Sequence, residues 1–467
     1  MTTDISSAKL SSEKLSSAKL KEMDRATLLH PFTNYQQYAK TGGRVVTRAE
    51  HIYVTDSDNK QLLDGMSGLW CCSLGYSQPT INKAIQEQLE RLPYYNSFFN
   101  CSNDAAIKMS NALVEIMPDH LNHIFFTNSG SEANDTNIRL VHRYFDALGK
   151  PGKKNIIGRH NGYHGSTIAA ASLGGMGYMH EQFVGLTYTH HVQQPYWYEE
   201  CHDMDAEAFG LVAANALAAK IDELGADTVA AFIAEPIQGA GGVIVPPASY
   251  WPAVEKICRE RDVLIISDEV ICGFGRTGQW FGCQTYGFTP DLLTFAKGVT
   301  NGYQPLGGVA VSDKIVAVLQ SQSVEFSHGF TYSGHPVACA AGLATLEIYK
   351  QTDIVGTLSK DLALYFNERW RQLGDHPIVG EARTQGMLGA LELVRDKSSR
   401  ERLAPDSAAS GFCRDRAIDH GLMVRAVKDT MISAPPYVCS KAEIDLLIDR
   451  LAKALDETAR HYGINEA

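Results

Sequence analysis

Between Asn122 and Ser312 the chain repeats one texture six times: a short apolar run, in several cases followed by a longer stretch with helical spacing. The runs are HIFFTN (123–128), NIIGRH (155–160), TVAAFIAEP (228–236), VLIISDEV (263–270), LLTFAK (292–297) and GGVAVS (307–312). Continuous Val, Ile, Leu and Phe without polar alternation suit strands buried on both faces, and such strands belong to parallel sheets whose crossover helices cover them. After the first run, Ile138, Val141, Phe145 and Leu148 recur at steps of three and four, the spacing of one face of a helix that starts at Ser131. The pattern predicts an α/β protein with a mostly parallel, helix-covered sheet.

The two ends of the chain read differently. RVVTRAE (44–50), HIYVTD (51–56) and KQLLDG (60–65), the last after the turn Ser57-Asp58-Asn59, are short strands of an antiparallel unit. Beyond residue 345 come a long helix, the strand-like MLGALELV (387–394) and GLMVRAV (421–427), and a final helix. Ser440 and Glu443 can close the start of that helix as a capping box. The expected organisation is a large domain over 75–344, a smaller α+β domain made from both chain ends (26–74 and 345–467), and an N-terminal segment, 1–25. The repeat SSAKL-SSEKL-SSAKL (6–20) in that segment is too polar to bury a face and should fray or form a loose helix.

Charge and cysteine usage exclude several classes. With 42 Lys and Arg against 53 Asp and Glu the chain carries a formal charge of −11, so a broad nucleic-acid or anionic-membrane surface is not expected. The ten cysteines, from Cys71 to Cys439, form no C-x-x-C pair, no H-E-x-x-H occurs, and no metal site is expected; they read as reduced core residues. No stretch approaches the roughly 20 apolar residues of a membrane span, and the start lacks a signal-peptide pattern; a cytoplasmic location is the expectation.

Four features could carry chemistry. GFGRTG places Gly273, Gly275 and Gly278 in a G-x-G-x-x-G pattern directly after VLIISDEV, but a dinucleotide fingerprint must open a helix and meet an acid about 20 residues later. Here the glycines run into QWFGCQTYGFTP, which reads as non-helical, and the next acid, Asp291, follows Gly278 by 13 residues. In NSGSEAND (128–135) a strand end passes through Gly130 and Ser131 into a helix, where free amides can hold a phosphate; the plainer alternative is that Ser131 only caps the helix. Asp268 ends an apolar strand at the edge where open α/β sheets bind ligands, or else caps the next turn. Lys297 ends LLTFAK as either a solvated strand end or a Schiff-base amine. Pyridoxal phosphate needs all of the last three: a lysine for its aldehyde, a carboxylate for its pyridine nitrogen, and an anion site.

NSGSEAND, NGYHGST (161–167), AEPIQGAGGVIVPP (234–247), SDEVICGFGRTG (267–278), AKGVTNGYQPLGG (296–308) and HGFTYSGHP (328–336) resemble, in order and spacing, the class III aminotransferases of the type I pyridoxal-phosphate fold. The likeness spans nearly everything after residue 25 and is greatest to bacterial ω-aminotransferases that use pyruvate, including putrescine–pyruvate and aromatic-amine–pyruvate enzymes. It accounts for GFGRTG as a family loop.

The resemblance implies roles. Lys297 would anchor pyridoxal 5′-phosphate and shuttle the proton, and Asp268 would pair with the pyridinium. Val270, two residues on and so on the same strand face, would pack on one side of the ring, with Tyr163 on the other. Gly130 and Ser131 would hold the phosphate, Thr331 would reach it from the neighbouring subunit of a homodimer or dimer of dimers, and Glu235 matches a family acid near the cofactor. Ile271 stands where many relatives carry a glutamine, so no residue is assigned to the ring hydroxyl. Phe32, Leu69, Trp70, Phe98 and Tyr163 match positions that line the amine site; core packing is the reading for Phe99. Arg425 matches a mobile arginine that binds the acceptor carboxylate, and its alternative is a structural ion pair. The implied activity is transamination from an amine, diamine or ω-amino acid to pyruvate. Rival readings are a decarboxylase or aminomutase of the same fold, a nicotinamide-dependent oxidoreductase using GFGRTG, and a non-catalytic binding protein.

Overall fold

All six apolar runs are strands of one seven-stranded sheet in the computed structural model, which describes residues 15–201 and 203–464. Across the sheet the order is His123–Thr127, Gly307–Val311, Leu292–Phe295, Leu264–Asp268, Val229–Ala234, Asn155–Arg159 and Thr189–Val192. Only Gly307–Val311 runs antiparallel to its neighbours. Every residue of the three strands Val229–Ala234, Leu264–Asp268 and Leu292–Phe295 is buried, which is why their sequences show no alternation. The seventh strand, Thr189–Val192, has no apolar run to announce it. It lies at the sheet edge, where Thr189, His190 and His191 are only half-buried.

The helix after the first strand spans Gly130–Ala147 and buries Ala133, Asn134, Asn137, Ile138, Val141 and Phe145. Its cap is Ser129, not Ser131: extended Ser129 accepts from the amide of Glu132 at 3.2 Å, which makes Gly130 the first helical residue. Ser131 is left free to accept from the amide of Ser166 at 3.1 Å.

The chain ends meet in two smaller sheets. Val46–Glu50, Tyr53–Asp56 and Gln61–Asp64 form the expected antiparallel meander. GLMVRAV is not one strand: Leu422–Met423 runs parallel to Gln61–Asp64, whereas Arg425–Val427 pairs antiparallel with Thr430–Ser433 in a different sheet. The buried Val424 marks the change of partner. That second sheet also contains Val379–Gln385 and Leu388–Asp396.

The long helix expected after residue 345 is broken into Pro336–Gln351, Ile354–Leu358 and Leu362–Gln372, with Asp353 in the left-handed region between the first two. QWFGCQTYGFTP contains a short helix, Gly282–Tyr286, against the expectation of none. The final helix, Lys441–His461, starts with the Ser440–Glu443 capping box. Residues 6–14 of the N-terminal repeat lie outside the described residues; Ser16, in its last copy, caps a helix over Ser17–Thr27 that buries no side chain. All ten cysteines are free thiols, and seven are buried. Among the described residues no helix is long and apolar enough to cross a membrane.

Candidate active site

Five parallel strands deliver their C-terminal ends to one place. Asp268 is the last residue of its strand, Lys297 lies two past Phe295, Glu235 follows Ala234, Tyr163 and His164 lie in the loop after Arg159, and Ser129–Ser131 follow Thr127. This is the edge at which open α/β sheets form ligand crevices. Gly130, Ser131, Tyr163, Glu235, Asp268, Val270 and Lys297 line one cavity of about 360 Å³, together with Ile271 and Cys71.

Asp268 is almost fully buried, and its carboxylate is tightly held. Oδ2 accepts from His164 Nδ1 at 2.8 Å and from Asn134 Nδ2 at 2.8 Å, and Oδ1 accepts from the amide of Val270 at 3.2 Å. Asn134 is fixed in turn: Thr294 Oγ1 donates to its Oδ1 at 2.8 Å, and Asn137 donates to Thr294 at 2.7 Å. Sequence reasoning missed His164 and Asn134. The available signal was their position inside NGYHGST and NSGSEAND, since a buried polar side chain needs a partner. Val270 does line the cavity, but not through strand alternation: the strand stops at Asp268, and Val270 sits in the turn that follows.

Lys297 opens a 3₁₀ turn with φ +48, an unusual conformation for a non-glycine residue that points to a functional constraint. Burial pushes its amine below the ordinary lysine range, opposed by the neighbouring Cys71, Asp268 and Glu235. A lysine in this state gives up its proton readily and is therefore a competent nucleophile.

The start of the helix Gly130–Ala147 is cleared for an anion. A Cβ at Gly130 would stand 2.8 Å from Val270 Cγ2, and one at Gly165 (φ +136) would collide with Ser131. Amides at this helix start, with side chains kept out of the way, could hold a phosphate. Cradle, carboxylate and amine together fit pyridoxal phosphate. Glu235 is fully buried and accepts from the amides of Tyr163 at 3.0 Å and Gly239 at 2.9 Å, so it clamps the loop that carries Tyr163; burial raises its pKa.

The expected substrate residues divide. Trp70 is buried, with Lys297 Nζ 5.9 Å and the Arg425 guanidinium 5.2 Å from its ring centroid. Arg425 makes no ion pair among the described residues, and burial lowers its pKa. Leu69 and Phe32 are exposed, although the Phe32 ring lies edge-on to Tyr163 at 6.4 Å. Phe98 and Thr331 do not line the Lys297 cavity of their own chain. Phe98 packs against Phe99 and faces Gly329, while the backbone carbonyl of Thr331 accepts from Tyr94. Phe99 is 89% exposed, against the expectation of core packing. GFGRTG forms turns, not a helix start, and its Arg276 is buried.

A model of the aminotransferase class-III family matches residues 35–455. A putrescine–pyruvate aminotransferase of Pseudomonas aeruginosa is 50% identical over 435 residues, 92% of this chain and 94% of that protein. A diaminobutyrate–2-oxoglutarate transaminase of Halomonas elongata is 37% identical over 454 residues, covering 94% and 96%. The crystal structure of an ω-transaminase from Pseudomonas jessenii in complex with PMP superposes with a TM-score of 0.93 at 39% identity, over 96% of this chain and 100% of that one.

Proposed function

The chain belongs to the class III aminotransferases and is a pyridoxal 5′-phosphate-dependent transaminase, and on that premise we propose that it moves an amino group from an amine, diamine or ω-amino acid to pyruvate, giving an aldehyde or ketone and L-alanine. The bound cofactor supplies the electron sink that makes the donor's C–H bond acidic. Lys297 would anchor it and move the proton, Asp268 would keep the pyridine nitrogen protonated, Gly130 and Ser131 would hold the phosphate, and Tyr163 and Val270 would pack against the ring.

The observation that carries the choice of substrates is Arg425. A guanidinium packed on Trp70 without a carboxylate partner is available to an incoming keto acid, and leaves an aromatic wall for the donor when it withdraws. The name of the 50%-identical relative supports pyruvate and a diamine. A donor panel assayed with pyruvate and with 2-oxoglutarate tests this. The expected result is turnover of putrescine or an aromatic amine with pyruvate and alanine as product; turnover with 2-oxoglutarate alone overturns it.

The active unit in this reading is a homodimer or a dimer of dimers. Tyr94, Phe98, Phe99 and Tyr332 are exposed beside Thr331, which supports a partner copy seated there and Thr331 reaching the partner's phosphate site. Thr331→Ala should weaken cofactor retention without changing donor preference; a fully active monomer at high dilution refutes the shared site.

A further inference from the structure

The arginine of GFGRTG has no place in the chemistry above, yet it is among the most buried charges in the molecule, with 1% of its surface exposed. Among the described residues Arg276 has no ion pair. Its guanidinium instead donates to four acceptors: the carbonyls of Pro435 at 2.7 Å and Met387 at 3.3 Å, and the hydroxyls of Ser73 at 2.8 Å and Ser67 at 3.2 Å. Its planar fork lies over the ring of Tyr437, 4.6 Å from the centroid. A buried guanidinium without a counter-ion is costly, so these four contacts are what keep it there.

The two serines bracket a strained segment. Ser67 itself and, between the two, Gly68 and Trp70 take φ values of +49, +68 and +60, which are unfavourable for the serine and the tryptophan. Within the segment the amides of Cys71 and Cys72 both donate to the carbonyl of Ser67, and Ser67 Oγ donates to the carbonyl of Ala434 at 2.7 Å. Trp70 stands on this turn, facing Lys297 and Arg425, with its indole N–H buried and without a hydrogen-bond partner among the described residues. Strain of this kind persists only where the surroundings hold both ends of the segment, and the Nη2 end of Arg276 does so.

We propose that Arg276 is a positioning residue that, through Ser67 and Ser73, fixes the left-handed turn carrying Trp70 and thereby sets the size of amine donor the site accepts. This rests on the amine-donor reading above. Releasing either serine lets the indole wall retreat, so bulky donors gain relative to small ones.

Arg276→Ala removes four contacts at once and endangers the fold, so the test uses Ser73→Ala and Ser67→Ala singly, with Arg276→Lys as the conservative variant. Two measurements are made on the holoenzyme: kcat/KM for a bulky aromatic amine against putrescine, and hydrogen exchange of amides 66–74. Each serine variant should raise the bulky-to-small ratio about five- to twentyfold and speed exchange in 66–74 while strand 264–268 stays protected. In a Trp70→Ala background the serine substitutions should leave the ratio unchanged. A donor ratio that stays at the wild-type value, whatever happens to stability or exchange, overturns the proposal. If the unmodified enzyme transfers no amino group from amines, the reading of its function fails instead, and the wild-type control shows this before any variant is made.

Discussion

His164 Nδ1 and Asp268 Oδ2 stand 2.8 Å apart with side chains only 1% and 3% exposed, so a ring from one strand's loop orients a carboxylate at the end of another. With Asn134 on the same oxygen, Asp268 is held against rotation. Loss of one hydrogen bond to a buried carboxylate costs about 1.5–3 kcal/mol, so His164→Ala should lower kcat roughly tenfold or more. Asp268→Asn should lose more. A His164→Ala enzyme with wild-type rate would show that the pair is structural only.

Lys297→Ala should abolish turnover and the yellow absorbance of the lysine-anchored cofactor, and borohydride should no longer fix the cofactor to the protein. The fold should persist, because the side chain lines the cavity, so its loss removes a buried amine with little packing. Circular dichroism and mass spectrometry after reduction check both halves.

Arg425→Ala should act on one half-reaction. A charge-assisted bidentate pair is worth about 1.5–3 kcal/mol, which predicts a roughly ten- to hundredfold loss in pyruvate kcat/KM. The amine half-reaction, followed by single-turnover bleaching without pyruvate, should change much less. Equal losses in both would place the carboxylate site elsewhere.

Gly165→Ala should damage the phosphate cradle, because a Cβ there collides with Ser131 and the backbone is held at φ +136. Cofactor affinity, measured by titration of the apoenzyme, should fall about tenfold or more. Gly411→Ala is the control. It lies inside the helix Ala408–Asp419 with open space around its Cβ, so it should leave cofactor affinity unchanged and raise the melting temperature by an amount equivalent to about 0.5–1 kcal/mol.

Glu269, next to Asp268, is buried and accepts from the amides of Gly282 and Cys283, each at 2.7 Å. Burial holds its pKa up at about 7 against an ordinary 4.5. A raised carboxylate binds its proton more tightly in the folded than in the unfolded state, so its contribution is present below pH 4.5 and is lost as pH rises through about 7. The melting temperature of wild type minus that of Glu269→Gln should therefore fall between pH 5 and pH 8, by up to about 3 kcal/mol in stability terms. A difference independent of pH would show that Glu269 stays ionised throughout.

Local pattern was enough for six of the seven central strands, for the final helix with its Ser440–Glu443 box, and for the suspicion attached to Asp268 and Lys297. The reason is that burial on both faces forces an unbroken apolar run, and a charged residue ending such a run is conspicuous. The edge strand Thr189–Val192 carried no such signature, because an edge strand need not be apolar. Partnership is another matter. His164 meets Asp268 across 104 positions of sequence, Arg276 finds its acceptors at Ser67, Ser73, Met387 and Pro435, and GLMVRAV divides between two sheets at Val424. Each depends on which strands lie side by side, and strand order comes from packing helices and sheets over long sequence separations, which periodicity along the chain does not encode. The same holds for Phe99: its apolar side chain suited a core, and only the folded chain left it exposed beside Phe98, on the face read above as the seat of a partner copy.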